Sequence, residues 1–593
     1  MSTSRSDIAQ SIASVEREPY AREAPNPKPS SQPPLRGDTA VNETALELLN
    51  LFGRKAENIY SVCGIEQEFF LIDRGWYNKR TDLMLTGRTL VGAPSPKTKY
   101  WRFEGQCGGL INERVLHYVN DVIAEETKHS VSNVGVSSDV YSNGAAPNQY
   151  WFVQKREASD ITICSNLLLT DIMKKVALRH NLVYLPHEKP FAGVNGSGKH
   201  LYWSLSDDKS GNLFKPGDTI DENLLFLTLL VSVIHAVYRH GDLLRAASAS
   251  AGNERQLGVN EAPPVVISVS LGEQLTKIIT MIEAGKTEKG KKRDFADLGA
   301  GLLPKFTYDA TDRGRVSPVV FNGDRFELRT LGGATDVSTA VTIVNTIVVD
   351  SMKTVCERIK KELNKNKGDK DADPQLSAAV LNVLSAVIKE SKSVLFDGDN
   401  NSNEWVKEAQ SRGLPNVTST PEALKAFITP KAVELFGRHK VFSEAELKDL
   451  YNARIDQYNK TIDIEIKALT DIVNTQVLPA AYNYQTDIAS GLEVLRVLAD
   501  DMTIEMTDGA LEDRKEMFEK LTADIYYLRK NLKELTAMAD KARGMGAPER
   551  AAYLHKEIKP QMNRVRKHVD ALEGCMPDES WPLPKYKEML FIL

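Results

Sequence analysis

The hydrophobic and polar positions of this chain follow two patterns, which meet near residue 335. Before that point short apolar runs alternate with helical patterns, as in mixed α and β structure. The predicted strands are 63–72, 263–271 and 326–331, and the predicted helices are 43–52, 161–180 and 221–244. The Gly- and Asn-containing segments between them are predicted loops, so this part is an α+β core.

After residue 335 the pattern becomes that of long amphipathic helices. They are predicted at 337–364, 376–391, 444–477 and 511–542. The last of these mixes charged residues with Leu, Met and Tyr at three-to-four spacing, so a packed helix is favoured and a coiled-coil hairpin is the alternative. We therefore expect a helical region over 336–593.

The first 40 residues have a different composition, rich in proline, serine and charged residues. Such a composition buries too little apolar surface to order itself. We predict a disordered, proline-rich tail over 1–40, followed by a core domain over 41–335.

Charge and cysteine content exclude several classes of function. The 593 residues include 75 basic and 80 acidic ones, interspersed, with a net charge of -5. No basic stripe for nucleic acid follows from this, and no uninterrupted apolar run is long enough to span a membrane. The five cysteines show no CxxC spacing, which argues against a disulfide framework and a structural zinc site. We expect the cytoplasm or another reducing compartment.

Two carboxylates, Glu66 and Glu68, interrupt the apolar strand predicted at 63–72. Alternation along a strand places both on one face, where they repel each other unless a cation or water intervenes. Mg²⁺ and Mn²⁺ favour carboxylate oxygen, so a divalent metal site is one interpretation. A solvent-facing strand edge is the other, and this segment alone does not decide between them.

A glycine-rich turn, NGSGKH at 195–200, allows backbone to lie close to a ligand. It lacks the full spacing of a phosphate-binding loop, so it does not by itself predict nucleotide binding. His200, at its end, is a candidate ligand, and a hydrogen-bonded structural histidine is the alternative. Farther along, Glu327 and Arg329 share a strand face, which suits a metal–phosphate site or an ordinary salt bridge.

The order of these three groups resembles the catalytic domain of glutamine synthetases, and in detail the type III branch of that family. The segments that carry the resemblance are GIEQEFFLID at 64–73, LTGRTLVGAPSPK at 85–97, DIMKKVALRHNLVYLPHEKPFAGVNGSGKHLYWSL at 171–205, QLGVNEAPPVVISVSLGEQL at 256–275, FELR at 326–329, STPEAL at 419–424 and WPLPKYKEMLF at 581–591. The resemblance implies an α+β catalytic domain, with an antiparallel sheet and helices, and a large helical carboxy-terminal extension.

The resemblance also implies an activity, that of an ATP-dependent glutamate–ammonia ligase. In this family ATP phosphorylates the side chain of glutamate and ammonia then displaces the phosphate, so ATP is a substrate and Mg²⁺ or Mn²⁺ is the cofactor. By resemblance, Glu66, His200 and Glu327 hold the metal ion that serves the nucleotide phosphates. Glu68 belongs to a second metal ion.

Further roles follow from the same resemblance. Arg315 and Arg329 match arginines that contact phosphate, in keeping with the electrostatic demands of phosphoryl transfer. Asn195 and Gly196 match the loop that holds the substrate glutamate. Glu261 matches a flap carboxylate that helps take a proton from ammonium and shields the intermediate. Glu261 and Arg329 are therefore the predicted catalytic residues.

The second metal site departs from the family pattern. A segment that reads approximately NEVAPxQxE in the family is NGAAPNQYW at 143–151 here, so Gly144 and Trp151 stand where two glutamates are expected. An ion held by Glu68 alone should bind much more weakly. Asp139 and Glu157 are candidate substitutes after a local shift. We therefore predict a partly degenerate metal site.

Two functions remain open at this point. One is a ligase that works as a homo-oligomer, or with a full-length glutamine synthetase or a larger assembly. The other is a catalytically inactive homologue that serves as a structural or regulatory subunit. The retained nucleotide-side ligands, Glu261 and the two arginines favour the first, whereas Gly144, Trp151 and the expected absence of the family's amino-terminal β-grasp domain favour the second. Gln256 in place of an arginine and the altered segment 97–109 are further departures on the substrate side. A truncated gene model is the alternative explanation of that absence.

Overall fold

The computed structural model describes residues 32–94, 112–129, 140–144, 146–217, 219–260, 262–285, 317–365, 373–501 and 507–591. Over these ranges a mainly antiparallel sheet with helices around it precedes residue 335, and a large helical region follows. The predicted fold class is confirmed. The division at 335/336 stays a prediction, since buried residues from both sides of it join one hydrophobic cluster.

The helices of the described residues are numbered in chain order. They are α1 Pro33–Leu51, α2 Arg74–Tyr77, α3 Thr81–Thr86, α4 Glu113–His129, α5 Ser159–Arg179, α6 Ile220–Ser248, α7 Asn253–Gln256, α8 Glu273–Ala284, α9 Ser338–Lys365, α10 Asp373–Ser391, α11 Asn403–Ser411, α12 Thr420–Leu424, α13 Pro430–Arg438, α14 Glu444–Ile472, α15 Leu478–Asp501, α16 Thr507–Ala542, α17 Ala547–Tyr553, α18 Lys559–Cys575 and α19 Tyr586–Met589. Short 3₁₀ and π turns join some of them, at Lys392–Val394, Lys425–Ile428, Val473–Val477 and Leu554–Ile558.

The strands form one sheet. They are β1 Ile59–Asp73, β2 Val140–Asn143, β3 Gln149–Val153, β4 Glu157–Ala158, β5 Leu182–Leu185, β6 Gly198–Asp207, β7 Gly211–Asn212, β8 Val269–Ser270, β9 Val319–Phe321 and β10 Phe326–Gly332. The strand order is β2-β3-β1-β6-β10-β9-β8, with β4 and β5 beside β1 and β7 beside β6. The pairs are antiparallel except β8 with β9.

The long strand β1 has one apolar face and one face that carries the two carboxylates. Cys63, Ile65 and Phe69 are fully buried in the core. Because successive side chains of a strand point to opposite faces, Glu66 and Glu68 lie on the other side, where both are only partly buried. The apolar face therefore fixes the register that sets the position of the two carboxylates.

The first described helix starts earlier than the sequence predicted. Helix α1 begins at Pro33, with Pro34 also in its first turn, where the missing N–H of proline has no helical partner to lose. Val41 and Leu48 are buried, and α1 packs against α9. The prediction of a tail through residue 40 is therefore wrong for residues 33–40.

Other boundaries also differ. The strand predicted at 263–271 shrinks to β8, in part because Pro263 and Pro264 have no N–H to give to a sheet ladder. The helix predicted at 444–477 runs as α14 and a π turn directly into α15. Helix α16 packs against α15 and α18 with Leu528 and Leu535 buried, which confirms a packed helix.

Two helices of the described residues are long and apolar enough to cross a membrane by length and composition. They span Asp221–Ser248 and Ser338–Asn364, and 83% and 78% of their most apolar windows are buried inside the fold. They lie in α6 and α9, which pack against each other. Burial in the protein core accounts for their apolar character.

Candidate functional site

Sheet register brings three predicted metal ligands together. Glu66 on β1 pairs directly with His200 on β6, and Glu68 follows two residues later on the same face. One ligand atom from each of the three side chains lies within 4.8 Å of the others. We call this group the Glu66–Glu68–His200 cluster. The prediction that Glu66 and Glu68 share a strand face is confirmed, and the imidazole of His200 lies beside them.

Neighbouring groups orient the two carboxylates. The Tyr202 hydroxyl donates a hydrogen bond of 2.5 Å to Glu66 Oε2, and the backbone N–H of Gly198 donates one of 2.5 Å to Glu68 Oε2. Tyr202 itself lies under the guanidinium of Arg325, 4.9 Å from the ring centre. Each carboxylate is thus held by a neutral donor.

The imidazole of His200 has no hydrogen bond at its buried Nδ1. That atom lies 3.5 Å from Glu66 Oε1 and 3.1 Å from Glu327 Oε1, but neither contact has hydrogen-bond geometry. Burial disfavours the charged imidazolium, yet the charge of Glu66 and then the contact with Glu327 raise the pKa of His200 to about 9. Without a metal ion, the His200 imidazole is therefore protonated and positively charged at neutral pH.

These observations fit a divalent cation. Two carboxylates and a ring nitrogen without a hydrogen bond form a donor set that suits Mg²⁺ or Mn²⁺. Glu66, Glu68 and His200 are the residues that would hold the ion. The side chains of His200 and Glu66 are 19% and 17% exposed, so the site is open to a ligand from solvent.

Glu327 lies beside the cluster but is engaged elsewhere. Its Oε1 accepts from Arg329 Nε at 2.7 Å, and its Oε2 accepts from Arg329 Nη2 at 3.0 Å and from Asn322 Nδ2 at 2.5 Å. Burial opposes ionisation, but the charge of Arg329 and the contact with His200 hold the pKa of Glu327 well below its usual range. Glu327 and Arg329 share a strand face, as predicted, and form a salt bridge. The role of Glu327 as a metal ligand stays a prediction.

The loop of Asn195 and Gly196 lies directly before β6. A Cβ atom on Gly196 would lie 2.1 Å from the backbone oxygen of Glu188, so only glycine fits there. The N–H of Ser197 donates to that same oxygen at 3.0 Å, and the Gly196 oxygen accepts from Gln149 Nε2 at 2.8 Å. The loop is therefore fixed on both sides, next to the cluster.

The positions of the two absent glutamates are surrounded by other side chains. A Cβ atom on Gly144 would lie 2.7 Å from Gln149 Cγ, so Gln149 occupies the space into which a longer residue 144 would extend. Trp151 pairs directly with Glu68 across β1 and β3. The indole of Trp151 thus lies opposite Glu68, and Gln149 fills the space beside Gly144, the other position where the family pattern has a glutamate.

Several predicted residues do not enter this geometry. Glu261, Arg315 and Asp139 lie outside the described residues. Glu157 pairs with Cys63, five residues along β1 from Glu68 and thus roughly 16 Å away. The described fold therefore does not place Glu157 in the cluster.

Two contacts of the site escaped the sequence prediction. Tyr202 follows His200 by two residues, so strand alternation alone was enough to place it on the same face. Asn322 reaches Glu327 only through the turn between β9 and β10, which no sequence pattern indicates. Gln256, noted only as a departure, lies beside Gly196 and Gly198 with its Oε1 buried and without a hydrogen bond.

The raised pKa of His200 makes metal binding depend on pH. A metal ion must displace the imidazolium proton, so the apparent affinity for Mn²⁺ should rise by about tenfold per pH unit below pH 9. Calorimetric titration at pH 6.5, 7.5 and 8.5, in buffers of different ionisation enthalpy, measures both the affinity and the proton released. An affinity that is constant over this range would contradict the assignment of His200 as a ligand.

Comparisons with known proteins show that this chain is similar to glutamine synthetases. Residues 50–231 match the family model described as glutamine synthetase, catalytic domain, and residues 379–496 match that described as glutamine synthetase C-terminal domain. A type-3 glutamine synthetase of Dictyostelium discoideum is 37% identical over 553 residues, which are 93% of this chain and 73% of that protein. A glutamine synthetase of Bacteroides fragilis (strain YCH46) is 33% identical over 564 residues, 94% of this chain and 75% of that protein.

A solved structure titled "Apo GmaS without ligand" is also similar. The sequences are 16% identical, the alignment covers 72% of this chain and 73% of that one, and the TM-score is 0.38.

Proposed function

This chain belongs to the glutamine synthetase family, in its type III branch, and we propose that it is an ATP-dependent ligase that joins ammonia to glutamate. In this reaction the γ-carboxylate of glutamate attacks the terminal phosphorus of ATP, and ADP leaves. Ammonia then attacks the γ-carbonyl carbon of the acyl phosphate, and inorganic phosphate leaves after ammonia has lost a proton. Glutamine is the product.

The Glu66–Glu68–His200 cluster is the observation that carries this proposal. Its three ligand atoms lie within 4.8 Å, and the buried Nδ1 of His200 has no hydrogen bond. When bound there, a divalent ion supplies positive charge to the phosphate oxygens of the nucleotide. The Tyr202 hydroxyl and the backbone N–H of Gly198 orient the two carboxylates that would hold the ion.

Arg329 is the second element of the proposal. Glu327 holds the guanidinium through two hydrogen bonds on the same sheet face as the cluster. A guanidinium fixed in this way costs little reorganisation when negative charge develops on a transferred phosphoryl group. We infer that Arg329 stabilises that charge, and that the rigid loop of Asn195 and Gly196 binds the amino-acid substrate.

A catalytically inactive subunit is the second candidate. Gly144 and Trp151 are the observation in its favour, because they stand where the family pattern has carboxylates, and Trp151 pairs directly with Glu68. If a second metal ion is required for the amino-acid half of the reaction, this arrangement binds it poorly. The chain would then retain nucleotide binding without synthesis of glutamine.

Hydroxamate formation by the wild-type chain distinguishes the two candidate functions, and substitution of Glu327 by glutamine tests whether the site is responsible. The purified chain should form γ-glutamyl hydroxamate from glutamate, ATP and hydroxylamine with Mn²⁺. Glu327→Gln, which keeps the shape but weakens the hold on Arg329 and the contact with His200, should lower that rate by about tenfold or more. A folded, ATP-binding wild-type chain with no hydroxamate product would favour the inactive subunit.

Assembly and compartment belong to the same proposal. We propose a homo- or hetero-oligomer in the cytoplasm or another reducing compartment, with a full-length glutamine synthetase or a larger assembly as the hetero-partner. Cys63, Cys356 and Cys575 form no disulfide bond in the described part of the chain, which supports a reducing compartment.

A further inference from the structure

One short helical turn, α7, connects the site to the helical carboxy-terminal region. At its first position, Asn253 Nδ2 donates a hydrogen bond of 2.8 Å to the backbone oxygen of Thr330, the residue next to Arg329 on β10. At its last position Gln256 lies beside Gly198, the residue whose N–H holds Glu68. The two ends of α7 therefore contact the site.

The second residue of α7, Glu254, reaches into the helical region. Its carboxylate, 2% exposed, accepts hydrogen bonds from Lys559 Nζ, from Tyr458 Oη at 3.3 Å and from the backbone N–H of Thr420. His555 Nδ1 lies 3.3 Å away. Burial opposes ionisation, but His555 and Lys559 lower the pKa of Glu254 to about 2, so the carboxylate is charged at neutral pH. Three segments of the helical region, one of which carries both His555 and Lys559, thus converge on one side chain.

The third residue of α7, Arg255, makes an independent link. Its Nη2 donates a hydrogen bond of 2.7 Å to Glu465 Oε2 on α14. The side chain of Glu465 is 1% exposed. It also accepts hydrogen bonds from Arg88 Nε at 2.6 Å and from Arg88 Nη2 at 2.9 Å. The carboxylate of α14 therefore joins α7 to the segment after α3 through two guanidinium groups.

The loop that follows α7 is held by the same region. Asn401 Nδ2 donates to the backbone oxygens of Asn260 at 3.3 Å and of Ala262 at 3.2 Å, the two residues that flank position 261. Asn260 has a positive φ of 58°. The helical region therefore contacts both α7 and the loop after it.

We propose that Lys559 and Glu465, in the helical carboxy-terminal region, are positioning residues. They set α7, and through it Gln256 and the loop residues 257–260, against the Glu66–Glu68–His200 cluster. Buried ion pairs are costly to desolvate and contribute little net stability, whereas their directional hydrogen bonds fix one arrangement of the groups they join. Two such links on consecutive residues of a single turn define its orientation. The part of this inference that concerns kcat rests on the proposed ligase function, whereas the part that concerns the position of α7 does not.

Two variants test the links separately. Lys559→Met removes one cation from Glu254, and Arg255→Gln removes the link to Glu465 while the pair of Glu465 with Arg88 remains. Each should increase hydrogen exchange of amides in 252–264 and lower kcat by about tenfold, with KM for ATP changed less than about twofold. Exchange in β1 and β6 should stay as in the wild-type chain.

A matched control comes from the same helix. Asp463 on α14 pairs with Arg550 at 2.6 and 2.7 Å, two residues from Glu465 and away from α7. Asp463→Asn should leave exchange in 252–264 and kcat unchanged. Equal exchange and kcat in Lys559→Met, Arg255→Gln and the wild-type chain would overturn the proposal, as would equal effects of Asp463→Asn.

The exchange measurement keeps the two proposals apart. An inactive wild-type chain would contradict the ligase proposal, while exchange in 252–264 would still test whether the helical region positions α7. Far-UV circular dichroism and thermal unfolding establish that each variant is folded. If Lys559→Met unfolds, Arg255→Gln decides the result, because Glu465 keeps its two hydrogen bonds to Arg88.

Discussion

Replacing Glu66 by glutamine should lower Mn²⁺ affinity and ligase turnover by about 100-fold or more. Glu66 is the central residue of the cluster, since it pairs with His200 across the sheet, accepts the hydrogen bond of Tyr202 and shares its strand face with Glu68. The neutral amide keeps the shape of the side chain but removes the charge that draws a divalent cation. Calorimetry with Mn²⁺ and the hydroxamate assay measure the two effects.

Glu157→Gln is the matched control for this experiment. Glu157 also lies next to β1, but its partner is Cys63, roughly 10 Å along the strand from Glu66 and on the opposite face of the sheet. The same change of charge there should leave both Mn²⁺ affinity and turnover within about twofold of the wild-type values. Equal losses in the two variants would mean that overall charge, rather than the cluster, controls the measurement.

The second large effect concerns stability. Arg80 and Asp82 are completely buried, with Arg80 Nε and Nη2 donating to Asp82 at 2.9 and 2.6 Å. Arg80 also donates to the backbone oxygens of Val91 and Pro584, so it joins the start of the core to the end of the chain. Asp82→Ala leaves this guanidinium buried without a carboxylate and should cost about 3–5 kcal/mol of the free energy of unfolding.

Urea titration followed by tryptophan fluorescence measures this loss. Glu512→Ala is the comparison, because the pair of Glu512 with Lys515 is exposed at a distance of 3.8 Å. An exposed pair contributes less than about 1 kcal/mol. An Asp82→Ala chain as stable as the Glu512→Ala chain would contradict the anchoring role of the buried pair.

The sequence alone predicted the central strand and its two carboxylates, for a physical reason. A strand with one apolar face has only one register that buries that face, so the positions of Glu66 and Glu68 follow from alternation. The prediction of a disordered tail failed at residues 33–40, because a proline-rich composition fits both a tail and the first turn of a helix. Pro33 and Pro34 indicated a tail, yet prolines are also favourable in the first turn of a helix, and the apolar residues that follow them bury α1.

Contacts that depend on the folded sheet or on packing of the helical region were beyond sequence reasoning. The bond of Asn322 to Glu327 and the packing of Gln149 against Gly144 arise only after the sheet has formed. The links of Glu254 to Lys559 and of Arg255 to Glu465 join residues more than 200 positions apart. No local pattern encodes such pairs, since any charged residue of a helix is as compatible with solvent as with a buried partner.

The most direct test of the ligase proposal is the fate of labelled ammonia. The purified chain, with glutamate, ATP, Mg²⁺ and ¹⁵N-ammonium, is followed by NMR for glutamine labelled in its side-chain amide and for ADP. We predict labelled glutamine, one ADP for each glutamine formed, and loss of both in Glu66→Gln. A folded chain that binds ATP but forms no labelled glutamine would contradict the proposal.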